Sequence, residues 1–195
     1  DIDEFDEARA TPEAALAYHA EAVAPALQAL ADFPVPTIAE IRGACVGGGL
    51  EIACCCDLRI AAPNARFGVP INRLGFSMYA GEMALVLRTV PRPVLAELLF
   101  EGRLLAADEA LAKGLLTRVV AADALTDEIR ATAERIAAGA PLVARAHKHW
   151  LGRLADGHSP SVEECAESLG TLNTADYREG LAAFREKRGP RFSGE

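Results

Sequence analysis

An α/β half followed by an all-helical tail is the fold class that this 195-residue sequence predicts. Three observations carry that reading. Short β-type runs at 36–41, 57–61 and 65–69 alternate with helix-type segments, which argues for strands joined by crossover helices. Three consecutive glycines, Gly47-Gly48-Gly49, mark a strand-to-helix junction. From Ala124 onward almost every segment is helical in character.

Each element has its own signal. Thr11-Pro12-Glu13 reads as an N-cap followed by proline at the first helical position. Leu16, Ala20, Val23, Leu27 and Leu30 then recur at helical spacing, predicting one amphipathic helix over 12–32. Asp32-Phe33-Pro34-Val35-Pro36 stops it. The strand at 36–41 enters the glycine corner, and the apolar run 50–55 leaves it as a helix. A second strand at 57–61 ends at Pro63-Asn64, and a third at 65–69 ends at Pro70. Helices follow at 82–90, at 93–100 with Gly102 as a stop, and at 106–113 with Gly114 as a stop. Residues 116–120 are the last strand-like run. Helices at 124–138, 141–155, 160–172 and 176–187 complete the tail, so we divide the chain into 1–122 and 123–195.

Composition bounds the function classes. The apolar and charged fractions, 51% and 25%, are those of an ordinary soluble globular protein. A net charge of −8 argues against a nucleic-acid or anionic-membrane surface. The apolar runs fall short of a membrane span. Asp1-Ile2-Asp3-Glu4 lacks the chemistry of a secretory signal, and a cytoplasmic location is expected. Of five cysteines, Cys54, Cys55 and Cys56 are consecutive, so they point in different directions and read as buried thiols of a reducing compartment. No cysteine or histidine spacing suggests a metal.

The glycine corner carries the chemistry. Glycines at a helix start let backbone N–H groups approach a ligand closely, and the helix end adds unpaired donors and partial positive charge. Such a corner can hold a phosphate or the oxyanion that develops on a carbonyl. Glu51, two residues after the last glycine, adds a carboxylate and favours carbonyl chemistry with an acid/base partner.

The stretch from Ile38 to Ala53, with Cys56-Asp57, Ala65-Arg66-Phe67-Gly68 and Leu74-Gly75, resembles the enoyl-CoA hydratase/isomerase (crotonase) superfamily. The resemblance continues through Gly102-Arg103-Leu104-Leu105-Ala106-Ala107-Asp108-Glu109-Ala110 and Gly114-Leu115-Leu116, and ends with the segment from Asp176 to Phe192. It implies a crotonase-like spiral of strand-strand-helix units over 1–122, with earlier strands preceding Asp1. It also implies a C-terminal helical trimerisation region over 123–195. The implied ligand is an acyl-CoA thioester, with coenzyme A as part of the substrate and no tightly bound cofactor. The implied assembly is a homotrimer or a dimer of trimers. Gly48 matches the position of one oxyanion N–H donor and Glu51 that of the first of two catalytic glutamates. The other donor matches a loop upstream of Asp1-Ile2-Asp3-Glu4-Phe5. By the same resemblance Val46, Gly47, Pro70, Ile71, Leu74 and Met78 line the acyl site, Ile2 lies near CoA, and Lys187 reaches the CoA moiety.

Two departures bear on the reaction. The second glutamate of the hydratases belongs just after Pro70, where Ile71 stands, and isoleucine transfers no proton. The segment Phe76-Ser77-Met78-Tyr79-Ala80-Gly81-Glu82 replaces a glycine-rich turn, and Tyr79 resembles the tyrosine of the methylmalonyl-CoA decarboxylase branch. The main expectation is a hydratase/isomerase-like lyase with Glu51 as its single acid/base. The alternatives are a decarboxylase of malonyl-type CoA esters using Tyr79 and a non-catalytic acyl-CoA-binding paralogue. Glu82 reads as a helix N-terminal residue rather than a replacement acid, His19 as structural or exposed, and His147 and His149 as surface or interface histidines. Arg185, Lys187, Arg188 and Arg191 read as a basic helix end.

Overall fold

A computed structural model gives the fold, and residues 8–195 are described. Helix α1 (Pro12–Tyr18) starts as expected: the Thr11 side chain accepts the Ala14 N–H, and Pro12 occupies the first turn. The single helix predicted over 12–32 is interrupted by a π-helical turn, His19–Val23, before α2 (Ala24–Ala31). The extra residue of a π-turn shifts the phase of the two flanking helices by about 100°. Leu16 therefore leaves the predicted apolar stripe and is 57% exposed, whereas Leu27 is buried with Cys55 and Leu85.

Strands β1 (Ile38–Ile41) and β2 (Ala44–Val46) lead into α3 (Gly48–Cys55). Strands β3 (Leu58–Ala61) and β4 (Arg66–Gly68) follow, then a 3₁₀ turn (Pro70–Leu74), α4 (Ala80–Leu87) and α5 (Arg92–Glu101). Strand β5 (Leu105–Ala106), α6 (Ala107–Ala112) and β6 (Arg118–Val119) come next. The first four strands alternate between two sheets. β1, β3 and β6 form one parallel sheet, with Ile38 opposite Leu58 and Ile60 opposite Arg118. β2 pairs parallel with β4, and β4 antiparallel with β5, in the other. The pairs β1-β2 and β3-β4 each precede a helix, so this part of the chain winds as strand-strand-helix units, whereas α6 separates β5 from β6. The core between these elements includes Leu50, Phe67, Val86, Leu98, Leu105 and Leu115.

The described residues up to Asp32, with Ile38–Leu125, form one compact unit. Phe33–Thr37 and Thr126–Glu195 form a second. The helices of the tail are α7 (Leu125–Ala137), α8 (Pro141–Ala155), α9 (Val162–Ser168) and α10 (Ala175–Glu186), with a 3₁₀ turn (Gly170–Asn173) before the last. In the second unit the buried Asp176 carboxylate accepts the N–H groups of Ser193 (2.7 Å) and Gly194 (3.0 Å), which folds the terminal segment back onto α10. No helix among the described residues is long and apolar enough to cross a membrane.

The far end of α3 is held by side chains. Arg59, buried on β3, donates to Cys56 O (2.7 Å), Ala53 O (3.5 Å) and Leu115 O (2.8 Å). Thr89 donates to Cys54 O at 2.9 Å. A helix ends in carbonyls without intrahelical partners, and a cation there also complements the helix dipole. Arg59→Met keeps much of the side-chain volume but takes the guanidinium donors away from the Cys56 and Leu115 carbonyls. It is expected to destabilise the protein by about 3 kcal/mol, read from the urea midpoint. An unchanged midpoint would show that the clamp contributes nothing.

Candidate active site

The glycine corner is built from strand pairing and close approach. The Gly47 N–H donates to Gly68 O at 2.9 Å, which ties the corner to β4. A Cβ at Gly68 would come within 2.5 Å of the Leu104 side chain and 2.9 Å of Arg103 O, so only glycine lets that segment lie so close. Gly47 itself has φ 57° and ψ −128°, a conformation that side chains rarely tolerate. Its carbonyl accepts the N–H groups of Leu50 (2.9 Å) and Glu51 (3.1 Å), which starts α3. Gly48 and Gly49, the first residues of that helix, have no carbonyl four residues back within it. Among the described residues outside the helix itself, a Cβ on Gly47, Gly48 or Gly49 would meet nothing within 4 Å, and Gly48 and Gly49 are exposed. The amide end of α3 can therefore accept an anionic or polarised oxygen.

Glu51 lies in the first turn of this helix and is only 7% exposed. Burial pushes its carboxyl up from 4.5 to about 7; the charge of Glu82 adds to the rise, and Arg9 opposes it. The neighbouring elements supply a second set of buried polar groups. Glu82, in the first turn of α4, is 2% exposed, and its Oε1 lies 2.6 Å from His19 Nδ1. His19 opens the π-turn and is 4% exposed. Its ring stacks with those of Phe76 and Tyr79, each at 5.7 Å between centroids. The Arg9 guanidinium lies 4.6 Å from the centre of the Phe76 ring. Among the described residues, His19 Nε2 has no hydrogen-bond partner.

The predicted site residues fall into distinct places. Gly47, Gly48 and Glu51 share the corner. Val46, half-buried, ends β2, and Pro70 opens the 3₁₀ turn. Ile71 is half-buried against the main core, and Met78 is part of that core. Leu74, by contrast, is 70% exposed. Tyr79 is half-buried at the N-cap of α4. Lys187 caps α10 in the second unit with φ 56°, and Ile2 lies outside the described residues. The basic helix end is partly neutralised, since Arg188 pairs with Glu179 and Glu186. His147 and His149 are exposed, as expected.

Sequence reasoning missed the partnership of His19 and Glu82. Glu82 is a helix N-terminal residue as read, but it is also buried and paired. His19 is not exposed, which removes one of its two expected placements. A signal was present: His19 stands at helical spacing from Val23, Leu27 and Leu30, so a polar residue lies in line with an apolar stripe. Among the described residues no three His, Cys, Asp or Glu side chains group as a metal site.

The enoyl-CoA hydratase/isomerase family model matches residues 3–195. An (E)-benzylidenesuccinyl-CoA hydratase of Thauera aromatica is 42% identical over 166 residues, covering 82% of this chain and 63% of that protein. The chain spans 54%, 63% and 65% of the length of three curated relatives it matches. A crystal structure of an enoyl-CoA hydratase/carnithine racemase from Magnetospirillum magneticum aligns with a TM-score of 0.95 at 50% identity, over 100% of this chain and 73% of that one. Methylmalonyl-CoA decarboxylase complexed with 2S-carboxypropyl-CoA aligns with a TM-score of 0.66 at 30% identity, over 89% of this chain and 68% of that one. With the family match running through the glycine corner and on to the last helix, this chain belongs to the enoyl-CoA hydratase/isomerase (crotonase) superfamily.

Proposed function

We propose that the chain binds an acyl-CoA thioester and performs enolate chemistry on it, with hydration of an enoyl-CoA as the reaction. One observation carries this reading: a buried carboxyl, raised to about 7, sits one turn inside a helix whose first residues, Gly48 and Gly49, are exposed. A group that titrates near neutrality can both take and return a proton at working pH. The Gly48 N–H would hold the thioester oxygen as negative charge develops on it. Glu51 would take the proton of the attacking water. Coenzyme A would enter as part of the substrate, and the chemistry needs no resident cofactor.

Val46, Pro70, Ile71 and Met78 would form the wall of the acyl site, with Leu74 at its rim. Ile71 supplies shape but no proton. A subunit assembly of the trimer type is supported by the apolar side chains that the helical unit exposes, among them Leu151, Val162, Leu169 and Phe184. A second reading, decarboxylation of a malonyl-type CoA ester, is favoured by Tyr79 packing on the His19 ring. It requires carbon dioxide release from methylmalonyl-CoA that is lost in Tyr79→Phe. Absence of release from the wild type removes it.

Glu51→Gln is expected to lower kcat on crotonyl-CoA by about 100-fold or more, in a steady-state hydration assay. A variant with undiminished rate would end the hydratase reading. The same substitution is expected to stabilise the fold at alkaline pH. The folded carboxyl holds its proton more tightly than the unfolded one, so ionising it opposes folding. Wild-type stability therefore falls as pH rises from 4.5 through about 7, and little of the penalty is present below 4.5. Glu51→Gln should gain about 3 kcal/mol over wild type at pH 8 relative to pH 4, by urea unfolding. A pH-independent difference would show that burial does not burden the carboxylate.

A further inference from the structure

We propose that His19 and Glu82 form the second proton-transfer element of this site, working with Glu51 where Ile71 has replaced the expected carboxylate. The proposal rests on the acyl-CoA reading of the Glu51 site.

The two residues are an unusual use of core space. His19 and Glu82 lie 63 positions apart, on the π-turn and on α4, and each is almost wholly buried. A buried polar pair is seldom a stabilising choice, because an apolar pair of the same size packs without desolvation. Their contact is also directional. The 2.6 Å contact of Nδ1 with Glu82 fixes the ring orientation, and in the proposal that nitrogen donates to the carboxylate. Nε2 is left as the working nitrogen, and it is the one buried side-chain nitrogen of the pair without a partner among the described residues. A buried polar atom with no partner calls for an explanation, and a ligand or reacting group would supply one.

The local backbone supports the same reading. The π-turn begins at His19, and such turns interrupt α-helices often at functional positions. The rings of Phe76 and Tyr79 stack with the imidazole and restrict its tilt. The helix carrying Glu82 packs on the one carrying Glu51, with Leu85 and Cys55 in one core cluster that also takes Leu27 and Val23 of the His19 segment, and the charge of Glu82 is felt at Glu51. The titratable neighbours of this cluster are Arg9, Tyr18, Glu51, Cys55, Tyr79 and Glu82.

In hydration the Glu51 carboxylate takes one proton from water as the water oxygen bonds to the β-carbon. The double-bond electrons move toward the thioester and give an enolate, whose oxygen the Gly48 N–H holds. The α-carbon then takes the Nε2 proton of the His19 imidazolium. Neutral imidazole remains, with its Nδ1–H on Glu82. The proton on Glu51 returns to His19 through solvent, so one water is added and nothing is oxidised or reduced. His19 is the catalytic residue in this scheme and Glu82 the positioning residue.

The test compares wild type, His19→Asn, Glu82→Gln and Glu51→Gln on crotonyl-CoA. The asparagine amide can still meet Glu82 but has no Nε2. His19→Asn is expected to lose about 100- to 10,000-fold in kcat with KM within threefold, and to lose one limb of the kcat–pH profile. Glu82→Gln, which keeps the ring but not the anion, should show a smaller loss and a displaced limb. A folded His19→Asn with near wild-type kcat and both limbs overturns the proposal, while a loss confined to Glu51→Gln leaves the acyl-CoA reading intact. If His19→Asn does not fold, Glu82→Gln decides: an unchanged rate and profile overturn the proposal. A wild type that turns over no enoyl-CoA removes the underlying reading and this proposal with it.

Discussion

The constraint on which the site depends is a carboxyl kept out of water at the start of a helix. Glu51 would be comfortable there if solvated, because the first turn of a helix favours negative charge. Burial overrides that preference and holds the proton to about pH 7. The competition between helix end and desolvation leaves a group balanced between its two protonation states. That balance makes it usable as both acid and base. On the proposed reading, the exposed Gly48 and Gly49, one turn away, would supply the partial positive charge that a developing oxyanion needs.

The rest of the first unit keeps this arrangement rigid. At its beginning α3 is fixed by Gly47, whose N–H reaches β4 and whose carbonyl starts the helix. At its end the last carbonyls are taken by Arg59 and Thr89. Gly68 and Thr89, 21 and 35 residues away from their partners, tie the two ends to other parts of the fold, so the position of Glu51 depends on more than its own helix. Glu82 and His19 meet on two further elements, and the charge of Glu82 reaches Glu51.

Much of this was legible because its signals are local. The glycine triplet, the Thr11-Pro12 start and the Gly102 stop each act through the conformation of one or two residues, and helix boundaries follow them closely. Strands β2 and β5 were not legible. They have three and two residues and exist only through pairing, Cys45 with Phe67 and Phe67 with Leu105. The π-turn was invisible to a periodicity that assumes 3.6 residues per turn, and Leu16 was misplaced for that reason. At the site, Gly48 and Glu51 stood out by spacing from one motif. His19 and Glu82 did not, because a pair 63 residues apart is chosen by packing.

The most direct measurement is the titration of the Glu51 carboxyl itself, by carbon-13 NMR of glutamate-labelled protein with Glu51→Gln to assign the resonance. The account predicts a midpoint at about 7 that moves down when Glu82 is replaced by Gln. A midpoint at the ordinary value of 4.5, unmoved by that replacement, would contradict it.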